Sequence, residues 1–249
     1  METYKTLQIE IRLGPWQEWT GEVECDCIIT DPPYSPKTHE GHNSLTKQIK
    51  KKKKIEYSAM RANDVWHFCN VWSPSVKGWM VIFTDHFSYP WYREALEANG
   101  RYVFAPIPFV DHGIRPRQCG DGPSNWTSWM VMARPKGREY TKSGSLPGYY
   151  GTDGKREKRF VIGGKPLTVM REIIKDYSKE DDLIVDPFCG GATTLIAAGI
   201  EGRRAIGFEK DPKTYSIAVD RLKEYNQRES YFEYQRRWKE ASKEKNNGW

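Results

Sequence analysis

Apolar residues recur along this chain with two different periods, and the alternation between them lays out the fold. Short runs at residues 27–30, ending a strand expected over 23–30, and at 78–84, 127–133, 183–185 and 205–208 are mostly apolar and rich in Val, Ile, Met and Phe, the mark of strands buried on both faces. Residues 101–105 read as one more strand. Elsewhere the spacing is helical. Val65, Trp66, Phe68, Cys69 and Trp72 follow Asn63 or Asp64, either suited to capping a helix that Pro74 stops. Residues 92–98 form a second helix with Gly100 as its terminator. Leu167, Met170, Ile173, Ile174 and Tyr177 mark a third, residues 192–198 a fourth, and Tyr215, Ile217, Ala218 and Leu222 a fifth. Strands alternating with helices predict an α/β fold, a mostly parallel twisted sheet with helices on both faces. The first sixteen residues alternate apolar and polar positions, unlike a signal sequence, and are expected to begin the fold itself.

Four stretches lack either period. Residues 35–62 are polar and carry Lys50, Lys51, Lys52, Lys53 and Lys54 in an unbroken block, which repels itself and is expected to form a mobile basic loop. Residues 106–126 read as a long loop bearing Pro, Gly and Arg, and residues 135–164 as a short surface insertion rather than core. Residues 224–249 read as a charged helix that folds back on the core or meets a second copy, which leaves a homodimer open. A chain of 249 residues suits one large domain, so residues 1–249 are expected to share a single core.

Composition narrows the choice of function. Lys and Arg outnumber Asp and Glu by 39 to 33, a net charge of +6 that favours a polyanionic partner without identifying one. No apolar run approaches the length of a membrane span, and mean hydropathy is -0.77, so no membrane association is expected. Cys25, Cys27, Cys69, Cys119 and Cys189 form an odd, scattered set. Reduced thiols in a cytoplasm are expected, and because no second Cys or His pair lies near Cys25 and Cys27, no structural metal. Cys25 and Cys27, two apart in the strand expected over 23–30, are expected on one face.

Two turns at the carboxyl ends of predicted strands carry the chemistry. Asp31-Pro32-Pro33-Tyr34 leaves the run ending at Thr30; two successive residues without a backbone donor cannot continue a helix or strand, so the segment is a rigid loop. It fixes a carboxylate, the neighbouring carbonyls and one ring face, which suits gripping a flat heterocycle with an exocyclic amine. The second turn, Asp186-Pro187-Phe188-Cys189-Gly190-Gly191, follows residues 183–185. Gly190 and Gly191 permit a sharp turn and close approach, and the helix start at Thr193 and Thr194 offers free N–H donors. About 20 residues on, Glu209 ends the next strand, where a carboxylate accepts both hydroxyls of a ribose. The turn lacks the G-x-G-x-x-G spacing and any Lys-Ser/Thr sequel, so an adenosyl ligand without phosphates fits better than a dinucleotide or triphosphate. Open α/β sheets bind ligands where both of these turns are predicted to lie.

These residues resemble the S-adenosylmethionine-dependent DNA amino-methyltransferases. Asp31-Pro32-Pro33-Tyr34 is similar to their catalytic motif IV, residues 186–191 to cofactor motif I, Gly207-Phe208-Glu209 with Tyr215, Ala218, Arg221 and Leu222 to motif II, and Lys165-Pro166-Leu167 to motif X. The catalytic motif precedes the cofactor motif, as in the β group, and the resemblance covers residues 23–134 and 160–225. It implies a Rossmann-like fold with permuted halves and S-adenosylmethionine as cofactor. Residues 186–191 would surround the methionine part, with Thr193, Thr194 and Lys165 near its carboxylate, Glu209 on the ribose and Asp31 facing the transferable methyl.

The chemistry implied is N6 methylation of adenine in DNA. The Asp31 carboxylate and Pro32 carbonyl are expected to accept the two N–H bonds of the amine and aim its lone pair at the methyl, with Tyr34 stacking on a base flipped out of the duplex. Neither a covalent intermediate nor a metal is required, and no cysteine follows a proline as a cytosine-C5 nucleophile would. Alternatives are cytosine-N4 methylation, in which serine is commoner at the position of Asp31, RNA adenine or protein amide methylation, and an inactive cofactor- or DNA-binding regulatory module. DNA phosphates are expected to meet Lys50 to Lys54, Arg115, Arg117, Lys155, Arg156, Lys158 and Arg159. Residues 135–164 are short for a target-recognition region, which predicts a target of about two to five bases or recruitment of a second subunit. The resemblance implies the cytoplasm of a bacterial, archaeal or phage-infected cell and leaves restriction-modification, protection of a phage genome and regulation open as roles.

Overall fold

The computed structural model describes residues 2–19, 21–41, 57–112, 125–137, 144–152, 154 and 157–228. Its strands are β1 (Thr3–Lys5), β2 (Ile9–Leu13), β3 (Cys27–Thr30), β4 (Met80–Thr84), β5 (Arg101–Val103), β6 (Ile107–Asp111), β7 (Thr127–Pro135), β8 (Tyr150–Thr152), β9 (Leu183–Asp186) and β10 (Arg204–Glu209). The helices are α1 (36–41), α2 (Ala62–Ser75), α3 (Tyr89–Ala98), α4 (Leu167–Tyr177), α5 (Thr193–Ile200) and α6 (212–228). One sheet runs β1-β2-β10-β9-β3-β4-β7-β6-β8, with β5 also on β7.

Five adjacent strands, β2, β10, β9, β3 and β4, run parallel to one another, and the flanking β1 and β7 pair antiparallel with the outer two. Strands β10, β9, β3 and β4 among them hold four of the apolar runs, because both of their faces are covered, and β7 holds the other. Ile184 and Val185 of β9, and Ile28 and Ile29 of β3, are all 0% exposed. Burying each such side chain stabilises the fold by about 1.5–3 kcal/mol. Alternate side chains feed two clusters: Cys27, Ile29, Val81 and Phe83 join α4, α5 and α6 on one face, while Ile28, Met80 and Ile82 join α2 and α3 on the other. From β9 the chain crosses by α5 to β10; from β3 it crosses by α2 to β4, in the opposite sense along the sheet. Crossovers of one hand that travel in opposite senses must place their helices on opposite faces, and they part company between β9 and β3. The crevice at the carboxyl ends of those two strands is where the two turns emerge.

Helix α4 follows its predicted period, with Met170, Ile173, Ile174 and Tyr177 in the core. Helix α2 begins one residue before the predicted caps: Asp64 accepts the Arg61 N–H at 2.8 Å from within the first turn, and Pro74 lies in the last turn. Helix α3 starts at Tyr89, earlier than its apolar spacing suggested.

Several expectations are corrected. The stretch 106–126 is not all loop, since Ile107–Asp111 forms β6 against β7, with Phe109 buried. Nor is 135–164 wholly a surface insertion: Tyr150–Thr152 lies parallel to β6, and Tyr150 is 3% exposed in the core. Residues 36–41 within the predicted basic loop are helical. Cys25 and Cys27 do not share a face, because the chain bends at Asp26 and sends them into opposite clusters. The alternating amino terminus does begin the fold, as the β1–β2 pair beside β10.

Candidate functional site

Strands β3 and β9 pair in parallel, with Cys27 opposite Ile184 and Ile28 opposite Val185. The Asp31 loop and the Asp186 turn therefore leave the sheet side by side. They are tied directly: the Thr30 hydroxyl donates to the Asp186 carboxylate at 2.6 Å. The same carboxylate takes the Phe188 N–H at 3.1 Å and the Thr194 hydroxyl, so it organises the turn from inside. Asp186 is 2% exposed, and burial pushes its carboxyl up to about 6 against the pull of those hydrogen bonds.

Asp85, just beyond β4, pins the other end of the Asp31 loop. One carboxylate oxygen accepts the Ser35 N–H at 2.9 Å and the hydroxyls of Ser35 and Thr38, each at 2.5 Å. The other oxygen accepts the Ser88 N–H at 2.7 Å. Burial pushes this carboxyl up, but the hydrogen bonds from Ser35, Thr38 and Ser88 outweigh it and hold the group below the ordinary carboxylate range. The loop is thus fixed at Thr30 by one neighbouring strand and at Ser35 by the other, which holds the Asp31 carboxylate and the Tyr34 ring in one arrangement.

Lys165 reaches this loop from the segment before α4. Its ammonium bonds the Asp31 carboxylate, lies 3.3 Å from the Tyr34 hydroxyl and sits 4.8 Å from the centroid of Phe83. The lysine side chain is only 9% exposed, so it is not a solvated lysine, and its described hydrogen bonds go to the Asp31 loop. Tyr34 is partly buried, and burial first, then the Asp31 charge, pushes its phenol well above the ordinary range. Pro32 is buried and Pro33 partly so.

The second turn depends on closeness to β10. Gly190 sits at φ +49°, a conformation that glycine adopts without strain. A Cβ on Gly207 would come within 2.6 Å of Leu195 and 2.8 Å of Cys189, so β10 must be bare there for the turn to seat. Cys189 is buried, its thiol pushed well up by that burial, and Phe188, partly exposed, packs on Phe68 with ring centroids 5.8 Å apart. Pro187 is buried as well. Thr193, at the start of α5, stays partly exposed, whereas Thr194 is 6% exposed with its hydroxyl committed to Asp186. Glu209 ends β10, accepts the Asp211 N–H at 2.8 Å and the Gly190 N–H, and is pushed up by burial.

Two residues of this site have contacts that the sequence did not show. Arg221 of α6 bonds the Gly191 carbonyl and lies 3.1 Å from the Thr193 hydroxyl, with its guanidinium 4.0 Å from the Phe160 ring. Burial lowers it to about 10. Its helical spacing behind Glu209 was visible, but its grip on the turn was not. Tyr57 stands isolated in a polar stretch. Its ring packs edge-on against His39 at 5.3 Å, and although the residue is 41% exposed, partial burial of its phenol and then the Asp31 charge push that group up, with Lys165 opposing. A cleft of about 230 Å³ opens between the Lys158–Lys165 stretch and Thr193 with Arg221.

Of the basic residues expected on DNA, Lys50 to Lys54, Arg115, Arg117, Lys155 and Arg156 lie outside the described residues. Lys158 stands 4.7 Å from the Phe160 ring. Arg159 is engaged differently from the expectation: it holds both oxygens of buried Asp111, at 2.9 and 2.7 Å, and the Gly164 carbonyl at 2.6 Å. Among the described residues no group of three or more His, Cys, Asp or Glu side chains could hold a metal ion, and no helix is long and apolar enough to cross a membrane.

Comparison with known proteins bears on this geometry. A family model described as DNA methylase matches residues 44–220, beginning after the Asp31 loop. The type II methyltransferase M.HindIII of Haemophilus influenzae is 42% identical over 66 residues, 26% of this chain and 21% of that protein. The first two curated relatives are matched over half of their length or less. The M1.HpyAVI–SAM complex superposes with a TM-score of 0.63 at 23% identity, covering 86% of this chain and 98% of that one. The cytosine-N4-specific PvuII DNA methyltransferase gives a TM-score of 0.63 at 15% identity, over 90% of this chain and 93% of that one.

Proposed function

Because the chain belongs to the family of DNA methylases, we propose that it transfers a methyl group from S-adenosylmethionine to an exocyclic amine of a base in DNA, with N6 of adenine as the target. The observation that carries this reading is the pairing of β3 with β9, which puts the Asp31 loop and the Asp186 turn at one crevice, tied by the Thr30–Asp186 hydrogen bond.

The residues of the second turn fit an adenosyl amino acid. A Cβ on Gly191 would sit 3.1 Å from the Arg221 guanidinium and 3.2 Å from Val161, so a side chain there would have to push these neighbours aside. The first N–H groups of α5 lack helical partners and present donors suited to a carboxylate, with the Thr193 hydroxyl beside them. Glu209, at the end of the next strand, is the acceptor suited to ribose hydroxyls. When bound, the cofactor supplies an electrophilic methyl on a sulfonium, which needs neither a metal nor a covalent enzyme intermediate.

On the substrate side, Asp31 and the Pro32 carbonyl accept the two N–H bonds of the amine. The amine's lone pair, otherwise delocalised into the ring, is thereby aimed out of the ring plane. Tyr34 offers its face to a base taken out of the duplex, since the target amine cannot be reached while the base stays in the helix. Holding reactants in this way can lower a barrier by several kcal/mol. Aspartate at position 31, rather than serine, supports adenine over cytosine.

The test is methyl transfer from labelled cofactor to DNA, followed by sequencing of modified bases in DNA from cells expressing the protein. N6-methyladenine is expected, and Asp31→Ala is expected to abolish transfer while cofactor binding persists. Retained turnover in Asp31→Ala would sink the assigned mechanism, and N4-methylcytosine in the product would replace adenine with cytosine as the target.

A further inference from the structure

The placement of Lys165 assigns it a task distinct from holding the cofactor. We infer that Lys165 is a positioning residue for catalysis: it ties down one oxygen of Asp31 so that the other is presented to the target amine. This rests on the reading of Asp31 given above.

Lys165 bonds Oδ2 of Asp31. Oδ1 of the same carboxylate is buried and has no hydrogen-bond partner among the described residues. A buried carboxylate oxygen left without a donor costs free energy, and it persists where a ligand supplies the missing N–H. A carboxylate held at one oxygen cannot swing about its terminal torsion, so the free oxygen keeps a fixed direction. The bond from Lys165 thus divides the carboxylate into a tethered side and a receiving side.

The lysine is itself held firmly. Glu157 accepts the Leu167 N–H at 2.7 Å, which caps the start of α4, and Arg159 grips the Gly164 carbonyl at 2.6 Å, so the backbone on both sides of Lys165 is anchored. Its ammonium is enclosed by Asp31, the Tyr34 hydroxyl at 3.3 Å and the rings of Phe83 and Tyr34, at 4.8 and 5.4 Å from their centroids. These contacts all belong to the Asp31 half of the site. None of the hydrogen bonds or ion pairs described for Lys165 involves the 186–191 turn, α5 or Glu209.

Lys165→Met keeps an unbranched stem while removing the charge and the donor. Cofactor affinity, measured by calorimetry, and single-turnover methyl transfer at saturating cofactor and DNA separate the two possible tasks. The expected result is cofactor affinity within about threefold of wild type and a transfer rate lower by about 100-fold, the scale on which small misplacements act. Lys165→Arg, which retains a donor for Oδ2, is expected to recover at least about tenfold of that loss. A loss of cofactor affinity beyond about tenfold, with or without a slower rate, would overturn the inference and return Lys165 to the cofactor's carboxylate. So would a wild-type rate in Lys165→Met. If Lys165→Met unfolds, Lys165→Gln carries the same test. An inactive Asp31→Ala beside an active Lys165→Met would refute only this inference, whereas an active Asp31→Ala would refute the reading beneath it.

Discussion

Removing the carboxylate of Asp85 should loosen the Asp31 loop from its far end. In Asp85→Ala the donors that lose their acceptor are the N–H groups of Ser35 and Ser88 and the hydroxyls of Ser35 and Thr38. Hydroxyls can rotate to other partners; the two backbone N–H groups cannot. Ser35 is 1% and Ser88 2% exposed, so water does not replace the carboxylate. Stranding each N–H costs about 1–3 kcal/mol, which predicts a loss of about 2–6 kcal/mol in unfolding free energy. The sign of the pH dependence follows from the lowered folded-state pKa of Asp85. Its stabilisation is present above the ordinary carboxylate value and is lost as pH falls through the lower folded value, so the variant should show a shallower acid limb. Urea unfolding across acid pH reads both quantities. Because Asp85 makes no described hydrogen bond to the Asp186 turn, the rate of methyl transfer should fall by about 10- to 100-fold with cofactor affinity unchanged. An unfolding free energy within about 1 kcal/mol of wild type, together with an unchanged rate, would show that this carboxylate does not hold the loop.

Two further outcomes are expected. Asp186 has a folded pKa of about 6 against a reference of 3.8, so its contribution is most favourable below the reference value and is lost as pH rises through about 6, a change of about 3 kcal/mol. Asp186→Asn should remove that slope, and wild-type and variant unfolding curves that stay parallel from about pH 4 to 7 would disprove it. Gly207→Ala places a methyl within 2.8 Å of Cys189, which should destabilise the chain by about 1–3 kcal/mol and weaken cofactor binding by displacing the 186–191 turn. Calorimetry showing full affinity in a variant of unaltered stability would count against that account.

The parts whose rules are local could be read from the residues alone. Two prolines after Asp31 cannot continue a strand and two glycines after Cys189 favour a sharp turn, so both turns were legible, as was the core face of α4 from its period. Strands β6 and β8 were not, because one carries Pro108 and the other is three residues long; each is stabilised by its neighbours across the sheet rather than by its own pattern. The bend that separates Cys25 from Cys27 is likewise invisible to a period-two rule. Only the tertiary structure decided that Asp31 and Asp186 share one crevice, that Asp85 clamps the loop from 50 residues away, that Arg159 binds Asp111, and that Lys165 meets Asp31 across 134 residues. Hydrophobic periodicity records which side of an element is buried, but says nothing about which elements become neighbours. That choice belongs to strand order, and here the order places β9 against β3 and so brings the two turns together.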